Sequence, residues 1–292
     1  MKVRTVVLSA IIATFATVSF FISCSSDKKT APAKGNAVVR TPEEELAGFK
    51  VADGFIVELV ASEKDGVINP IDITFDDAGR LWTQTAAMYP LDPIADIKWN
   101  DLLELMNDQE KQKNHPNFKR IHDLYLGKTK GTDKILILSD FYNYDNPSVK
   151  SEVWADSLTI PMSILPYKNG AYVAQGSELF FLDDANKDGK ADNRVPMFTG
   201  FGFTDTHTMA HSLIRGPGGW LYFSHGALNK GEVTSYVNDL KLKMEYSKIA
   251  RFTGDAKKME LVTPGLNNIW GFQLRNNGQW YITEANDLGF SV

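Results

Sequence analysis

The chain carries a single cysteine, Cys24, among 292 residues. That excludes a disulfide framework, a CxxC zinc site and a CxxCH haem attachment within this sequence. Histidine is scarce too, at five. Positive charge is outweighed: 31 Lys and Arg stand against 36 Asp and Glu, a net charge of -5. No long basic run departs from that balance. Binding to a phosphate backbone needs a clustered positive field, so the composition argues against a nucleic-acid partner. Long apolar runs are missing except at the N-terminus. The rest, 43% hydrophobic and 23% charged, is ordinary for a globular protein, and the length allows one large domain or two ordinary ones.

At the N-terminus, Lys2 and Arg4 precede an apolar run from Val6 to Ile22, which ends in small residues at Ser23 and Cys24. This is the pattern of a secretory signal and stays outside fold reasoning. The run is short, and rich in Ser, Thr and Ala, for a permanent span. FISC, from Phe21 to Cys24, is similar to a bacterial lipobox, in which Cys24 becomes the lipidated first residue; Phe21 departs from the usual Leu, and the alternative is an uncleaved signal anchor. SSDKKTAPAKGNA follows, small and polar, as a flexible tether. The expected organisation is a signal over 1–24, a linker over 25–42 and a folded domain over 43–292. The protein is expected to be exported and to meet the membrane only through its lipid anchor.

Four segments share one pattern: INPIDITFDDAGRLWTQT, TIPMSILPYKNGAYVAQG, TMAHSLIRGPGGWLYFSHG and NNIWGFQLRNNGQWYITEAN. Each has an apolar-alternating run, a turn containing Gly, then a second alternating run with aromatics. DDAG, YKNG, GPGG and RNNG supply turn residues that tolerate positive φ, so each segment predicts a β-hairpin. FIVELVA (55–61), DKILILSD (133–140), SEVWADSL (151–158), SELFFLDD (177–184), SKIARFTG (247–254) and KMELVTPG (258–265) are further strand candidates. About four short strands per roughly 45–60 residues is the blade of a β-propeller. A plain β-sandwich explains the strands but not the recurring hairpin. The predicted class is all-β, with about four blades present.

Between Met88 and Gly131 the pattern turns helical, with Leu102, Leu103, Leu105 and Met106, then Phe118, Ile121 and Leu124 near helical spacing. It reads as an insertion at about 90–130, packed over one face of the disc. His115 and His122 within it read as exposed polar helix residues. The chain stops soon after a strand, and closure removes open sheet edges, so the expectation is the N-terminal part of a longer propeller, six-bladed when complete.

DDANKDGKAD places side-chain oxygens of Asp184, Asn186, Asp188 and Asp192 in alternation, with a backbone carbonyl expected from Lys190 and a sharp turn at Gly189. A hard cation such as Ca²⁺ wants such an oxygen cage. Val195 stands where an EF-hand would carry Glu, and the preceding segment is a strand, so this is not an EF-hand. The alternative is an acidic turn without metal. SDFYNYDNPS, from Ser139, is a weaker version and is assigned no metal.

Three histidines, His207, His211 and His225, fall within THTMAHSLIRGPGGWLYFSHG. On a strand, His207 and His211 share a face with about 13 Å between Cα atoms, far for a shared zinc. A general base just before the innermost strand would point into the mouth of a propeller, where a neutral imidazole can take a substrate proton. Arg215 and Asn268 are polar groups at comparable places. A structural histidine bonded to loop backbone is the other reading.

GFIVELVAS, PIDITFDDAGRLW, DDANKDGKADNR, FTGFGFTDTHTMAHSLIRGPGGWLY and GLNNIWGFQLRNNGQWYITEAND, in this order, resemble the glucose/sorbosone dehydrogenase-like propellers, the superfamily of soluble quinoprotein sugar dehydrogenases. They look most like the exported "membrane-bound dehydrogenase" branch of planctomycetes, verrucomicrobia and Bacteroidetes, whose members often carry a C-terminal cytochrome c segment. The resemblance runs from about Phe49 to the last residue, apart from the insertion. It implies oxidation of a sugar or alcohol hydroxyl, with hydride transfer to pyrroloquinoline quinone (PQQ), Ca²⁺ as second cofactor and a cytochrome c as electron acceptor. By its distance to Gly216-Pro217, His207 matches the family's base. His211 falls where a small residue is usual. The family's quinone-binding Arg-Asn pair corresponds to Asn267-Asn268, where the Asn is kept and the Arg is lost. The implied cofactor-binding set is His211, Arg215, Asn267 and Asn268. A non-catalytic propeller that binds a glycan or protein partner is the rival reading, favoured by the departure at Asn267.

Overall fold

The computed structural model describes residues 40–141, 149–263, 265–285 and 290–291. Cys24 and most of SDFYNYDNPS lie outside them. Two compact units divide at Asp53. In the first, the described part holds one short helix, α1 (Pro42–Leu46). Thr41 caps it: its side chain accepts from the Glu44 N–H, and Glu44 accepts from the Thr41 N–H in return. No residue of α1 is buried.

The second unit, Gly54–Val292, is built of antiparallel sheets. The first pairs β1 (Ile73–Phe75), β2 (Leu81–Gln84), β3 (Asp133–Ser139) and β4 (Lys150–Leu158) in sequence order. Between β2 and β3 stand three helices, α2 (Trp99–Met106), α3 (Gln109–Asn114) and α4 (Pro116–Tyr125). The second sheet runs β5 (Pro161–Tyr167), β6 (Gly170–Gln175), β7 (Glu178–Asp183) and β8 (Asn193–Thr199). The third starts with β9 (His211–Arg215) and β10 (Trp220–His225). The chain then leaves in a hairpin, β11 (Lys230–Ser235) and β12 (Lys241–Glu245). It returns as β13 (Lys248–Thr253) and β14 (Met259–Thr263). β11 joins the outer edge of β8, so the second sheet has six strands. The fourth comprises β15 (Ile269–Leu274), β16 (Trp280–Glu284) and β17 (Phe290–Ser291).

The first strands of successive sheets, β1, β5, β9 and β15, contact one another in that order. Sheets whose strands run in sequence order, and that meet along their first strands, are the blades of a propeller. The fold is an all-β propeller with four blades among the described residues and a helical insertion. All four predicted hairpins form, as β1–β2, β5–β6, β9–β10 and β15–β16. Apolar side chains of neighbouring blades interdigitate, as in the cluster of Leu179, Phe198, Phe201, Phe223, Val233 and Phe252.

Buried polar groups tie the inner strands together. The Ser163 hydroxyl donates to Asp72 at 2.6 Å and accepts from the Leu213 N–H at 2.9 Å, which links three blades. Fully buried Asp133 accepts from the N–H groups of Ala87 and Ile160, at 2.7 and 2.8 Å, and from the Thr85 hydroxyl. Asp133 is fully and Asp72 partly buried, and both are paired, the form in which such carboxylates are tolerated.

One strand expectation is corrected. FIVELVA forms no strand, and Phe55 and Ile56 are 71% and 78% exposed. Its composition suits a strand, but no sheet edge among the described residues pairs with it, and an unpaired segment gains no ladder.

Candidate functional site

Each blade's first strand is preceded by a loop on one face of the disc, and the turn between its first two strands lies on the other. The insertion belongs to the first face. The buried Phe118, Ile121 and Tyr125 of α4 point inward. Tyr125 and Ile121 pack with Ala86, Ile160, Met162 and Met209, which lie at or beside strand ends on that face. The Tyr125 carbonyl accepts from the Gln175 amide at 2.7 Å and from Arg194 at 2.8 Å.

His207 stands on the same face, in a single 3-10 turn, Thr206–Thr208, that leads into β9. Asp205 caps this turn by accepting from the His207 N–H at 2.9 Å. The same carboxylate oxygen lies 2.9 Å from His207 Nδ1. The Tyr89 ring meets the imidazole edge-on, centroids 5.1 Å apart. Burial, then Asp205 and Asp92, raises the Tyr89 hydroxyl above its usual range. Asp92 is fixed by the Thr206 N–H, at 2.8 Å, and hydroxyl. The His207 side chain is 54% exposed, with no hydrogen-bond partner for Nε2 among the described residues. In the neutral tautomer that donates Nδ1–H to Asp205, Nε2 is the nitrogen with the lone pair.

His211 differs. It is buried, its Nδ1 is 2.6 Å from the Met209 carbonyl and its Nε2 is 3.1 Å from that of Ile269. Burial lowers its pKa against those carbonyls. A carbonyl faces each ring nitrogen and the ring is buried, so His211 is closed off from a substrate proton. His225 is also buried and is pushed down to about 4, chiefly by desolvation.

Arg215 lies at the far end of β9 from His207. It donates to Asp77 at 3.1 Å and to the Pro166 carbonyl, beside the turns of the opposite face. Asn267 is exposed, and its carbonyl accepts from Ser247. The Asn268 N–H donates to Glu284 at 2.8 Å, while Asn268 Oδ1 and Glu284 Oε1 are buried without partners. The four residues therefore do not form one cluster. The two orphaned atoms are acceptors, which suit a hydroxyl donor or a cation better than the carboxylates of PQQ, so this set does not fit that quinone.

In the Asp184–Asp192 loop, the carboxylates accept the loop's own N–H groups. Asp184 takes those of Asp188 and Gly189, at 3.0 and 2.9 Å; Asp188 takes that of Lys190, at 2.9 Å; Asp192 takes that of Asn186, at 3.0 Å. The Asn186 amide donates to Asp188 and Asp192. The donor set is all oxygen and fits a hard cation by type. Among the described residues, Asp92, Asp205 and His207 form a separate group in which two carboxylate oxygens and one imidazole nitrogen lie within 4.8 Å of one another. Sequence reasoning missed Asp205, Asp92 and Tyr89. The TDTH spacing carries a signal for Asp205 alone, as the cap two residues before the histidine.

The sequence matches the family described as "Domain of unknown function (DUF7133)" over residues 41–292. The chain belongs to that family. No curated protein matches it. Among solved structures, a pyranose dehydrogenase PQQ domain from Coprinopsis cinerea is similar at 15% identity and a TM-score of 0.45, covering 83% of this chain and 51% of that one. A luciferin-regenerating enzyme aligns at 14% identity and 0.40, covering 73% and 53%. An ulvan lyase of polysaccharide lyase family PL25 aligns at 12% and 0.34, covering 82% and 53%. The chain spans about half the length of these proteins. No helix among the described residues is long and apolar enough to cross a membrane.

Proposed function

We propose that this propeller is an exported, lipid-anchored oxidoreductase that oxidises a sugar or related alcohol, with His207 as the base. The observation that carries the reading is the His207–Asp205 pair, at 2.9 Å. Asp205 orients the ring and stabilises the imidazolium, and Nε2 takes the hydroxyl proton as the carbon gives up hydride. Tyr89 fixes the ring edge-on. The hydride needs a two-electron acceptor, a role that PQQ fills in the resembling dehydrogenases. His211, Arg215, Asn267 and Asn268 do not gather into a PQQ site, so this chain's own part is to orient the hydroxyl and take its proton. Ca²⁺ in the Asp184–Asp192 loop would brace the β7–β8 connection, remote from the proton transfer. The finer branch, the anchor at Cys24 and a cytochrome c acceptor belong to the same proposal.

The test is dye reduction by the full chain with aldoses and Ca²⁺, run with and without PQQ. His207→Ala is expected to lower kcat by about 10²–10⁴-fold, and Asp205→Asn by about 10-fold or more, through the wrong tautomer. Activity that survives both substitutions rules out the dyad. A second reading, a propeller that binds a glycan without turning it over, is favoured by the scattered positions of His211, Arg215 and Asn268. Glycan binding with no dye reduction in the wild type selects it.

A further inference from the structure

A groove of about 460 Å³ runs between α3–α4 and the strand ends at Thr199–Phe203 and Lys230–Thr234. Its apolar wall is aromatic. The His122 ring stacks on Phe203, centroids 5.5 Å apart at 15°, and Phe118 meets the same Phe203 edge-on at 5.5 Å. His122 is therefore half-buried rather than the exposed helix residue expected from the sequence. Four lysines, Lys113, Lys119, Lys128 and Lys230, line the groove against two carboxylates, Asp123 and Glu232. This local positive excess stands on a chain whose net charge is -5. Lys119 and Lys128 share one partner, Asp123, at 2.6 and 3.3 Å, and Lys113 pairs with Glu110 at 2.7 Å. These lysines are 63–66% exposed, and exposed pairs are weak enough to re-form on a ligand. Ser177 also lines the groove, and its buried hydroxyl has no partner.

We infer that this groove binds a small organic anion that carries a ring, its flat body against Phe203 and His122 and its phosphate or carboxylate among Lys113, Lys119 and Lys128. Aromatic walls with a few convergent polar groups are the usual make-up of a small-molecule site. The His122 pKa is lowered, first by burial and then by Lys128, Lys119 and Lys113, with Asp123 opposing; the ring thus senses the cations that an anion would neutralise. Neither the groove nor its ligand depends on His207 acting as a base.

The test is calorimetric titration of the full chain with phenyl phosphate, inorganic phosphate and benzyl alcohol, with the His122 imidazole followed by NMR. Phenyl phosphate is expected to bind about tenfold or more tighter than either fragment, because ring and charge act together. It is also expected to raise the His122 titration midpoint, since the anion favours the imidazolium. The double variant Lys119→Gln/Lys128→Gln, with both changes on the surface, is expected to lose about tenfold of that affinity. Equal binding of phosphate overturns the aromatic platform, equal binding of benzyl alcohol overturns the cationic rim, and unchanged binding by the double variant places the anion elsewhere. Absence of phenyl phosphate binding overturns the site as a whole.

Discussion

His207, His211 and His225 show how far one residue type diverges with its surroundings. His207 is half-exposed beside a carboxylate, His211 is held between two carbonyls, and His225 is buried with one ring nitrogen unpartnered. His225 carries a pH prediction. Its folded pKa lies below the unfolded value, so the unfolded chain binds the proton first as pH falls. Its contribution to stability is complete above pH 6.5 and is lost as pH falls towards about 4. Urea midpoints of the wild type are expected to drop across that window. His225→Gln removes part of the drop; an identical pH profile in the variant would show that another group is responsible. The sequence made these three histidines stand out by their scarcity, but their surroundings were not legible in it. Their difference lies in partners such as Ile269 and Tyr246, distant in the chain.

At the scale of elements, the hairpins were legible because turn residues and alternation coincide in each. The missed strands lack that coincidence. β8 contains Pro196, which a strand tolerates here because it falls at a shift of register opposite Phe180. β11 and β12 are short, with lysines and glutamates throughout, and they form by pairing with each other and with β8. The docking of α4 rests on Gly176, at φ 58°, where a Cβ would lie 2.1 Å from the Tyr125 ring. Gly176→Ala is expected to cost about 2–4 kcal/mol through clash and left-handed strain. It should also speed tryptic cleavage at Lys111 and Lys113 before the blades unfold. Unaltered cleavage would mean that α4 is held by other contacts.

For the molecule as a whole, the insertion changes what the propeller face offers. It meets the loops before β5 and β9, sets Tyr89 and Asp92 beside His207, and makes the lysine-lined groove with β8 and β11. Elsewhere in the second unit, the segment around Phe55 and Ile56 leaves apolar side chains in solvent. The double change Phe55→Ser/Ile56→Ser is expected to leave the unfolding free energy within about 0.5 kcal/mol and to reduce self-association in sedimentation velocity. A large loss of stability would instead show that the segment is packed in solution.

The sequence alone determined the class of fold, because alternation and turn chemistry are local and recur four times. It also marked the helical insertion by a change of period. Only the tertiary structure decided which polar groups share a site. It joined Asp92, Tyr89 and Asp205 to His207, sent Arg215 to the other face and closed His211 between carbonyls. Local pattern sets how a segment pairs with its neighbour, whereas convergence depends on which loops the blades and the insertion bring to one face of the disc.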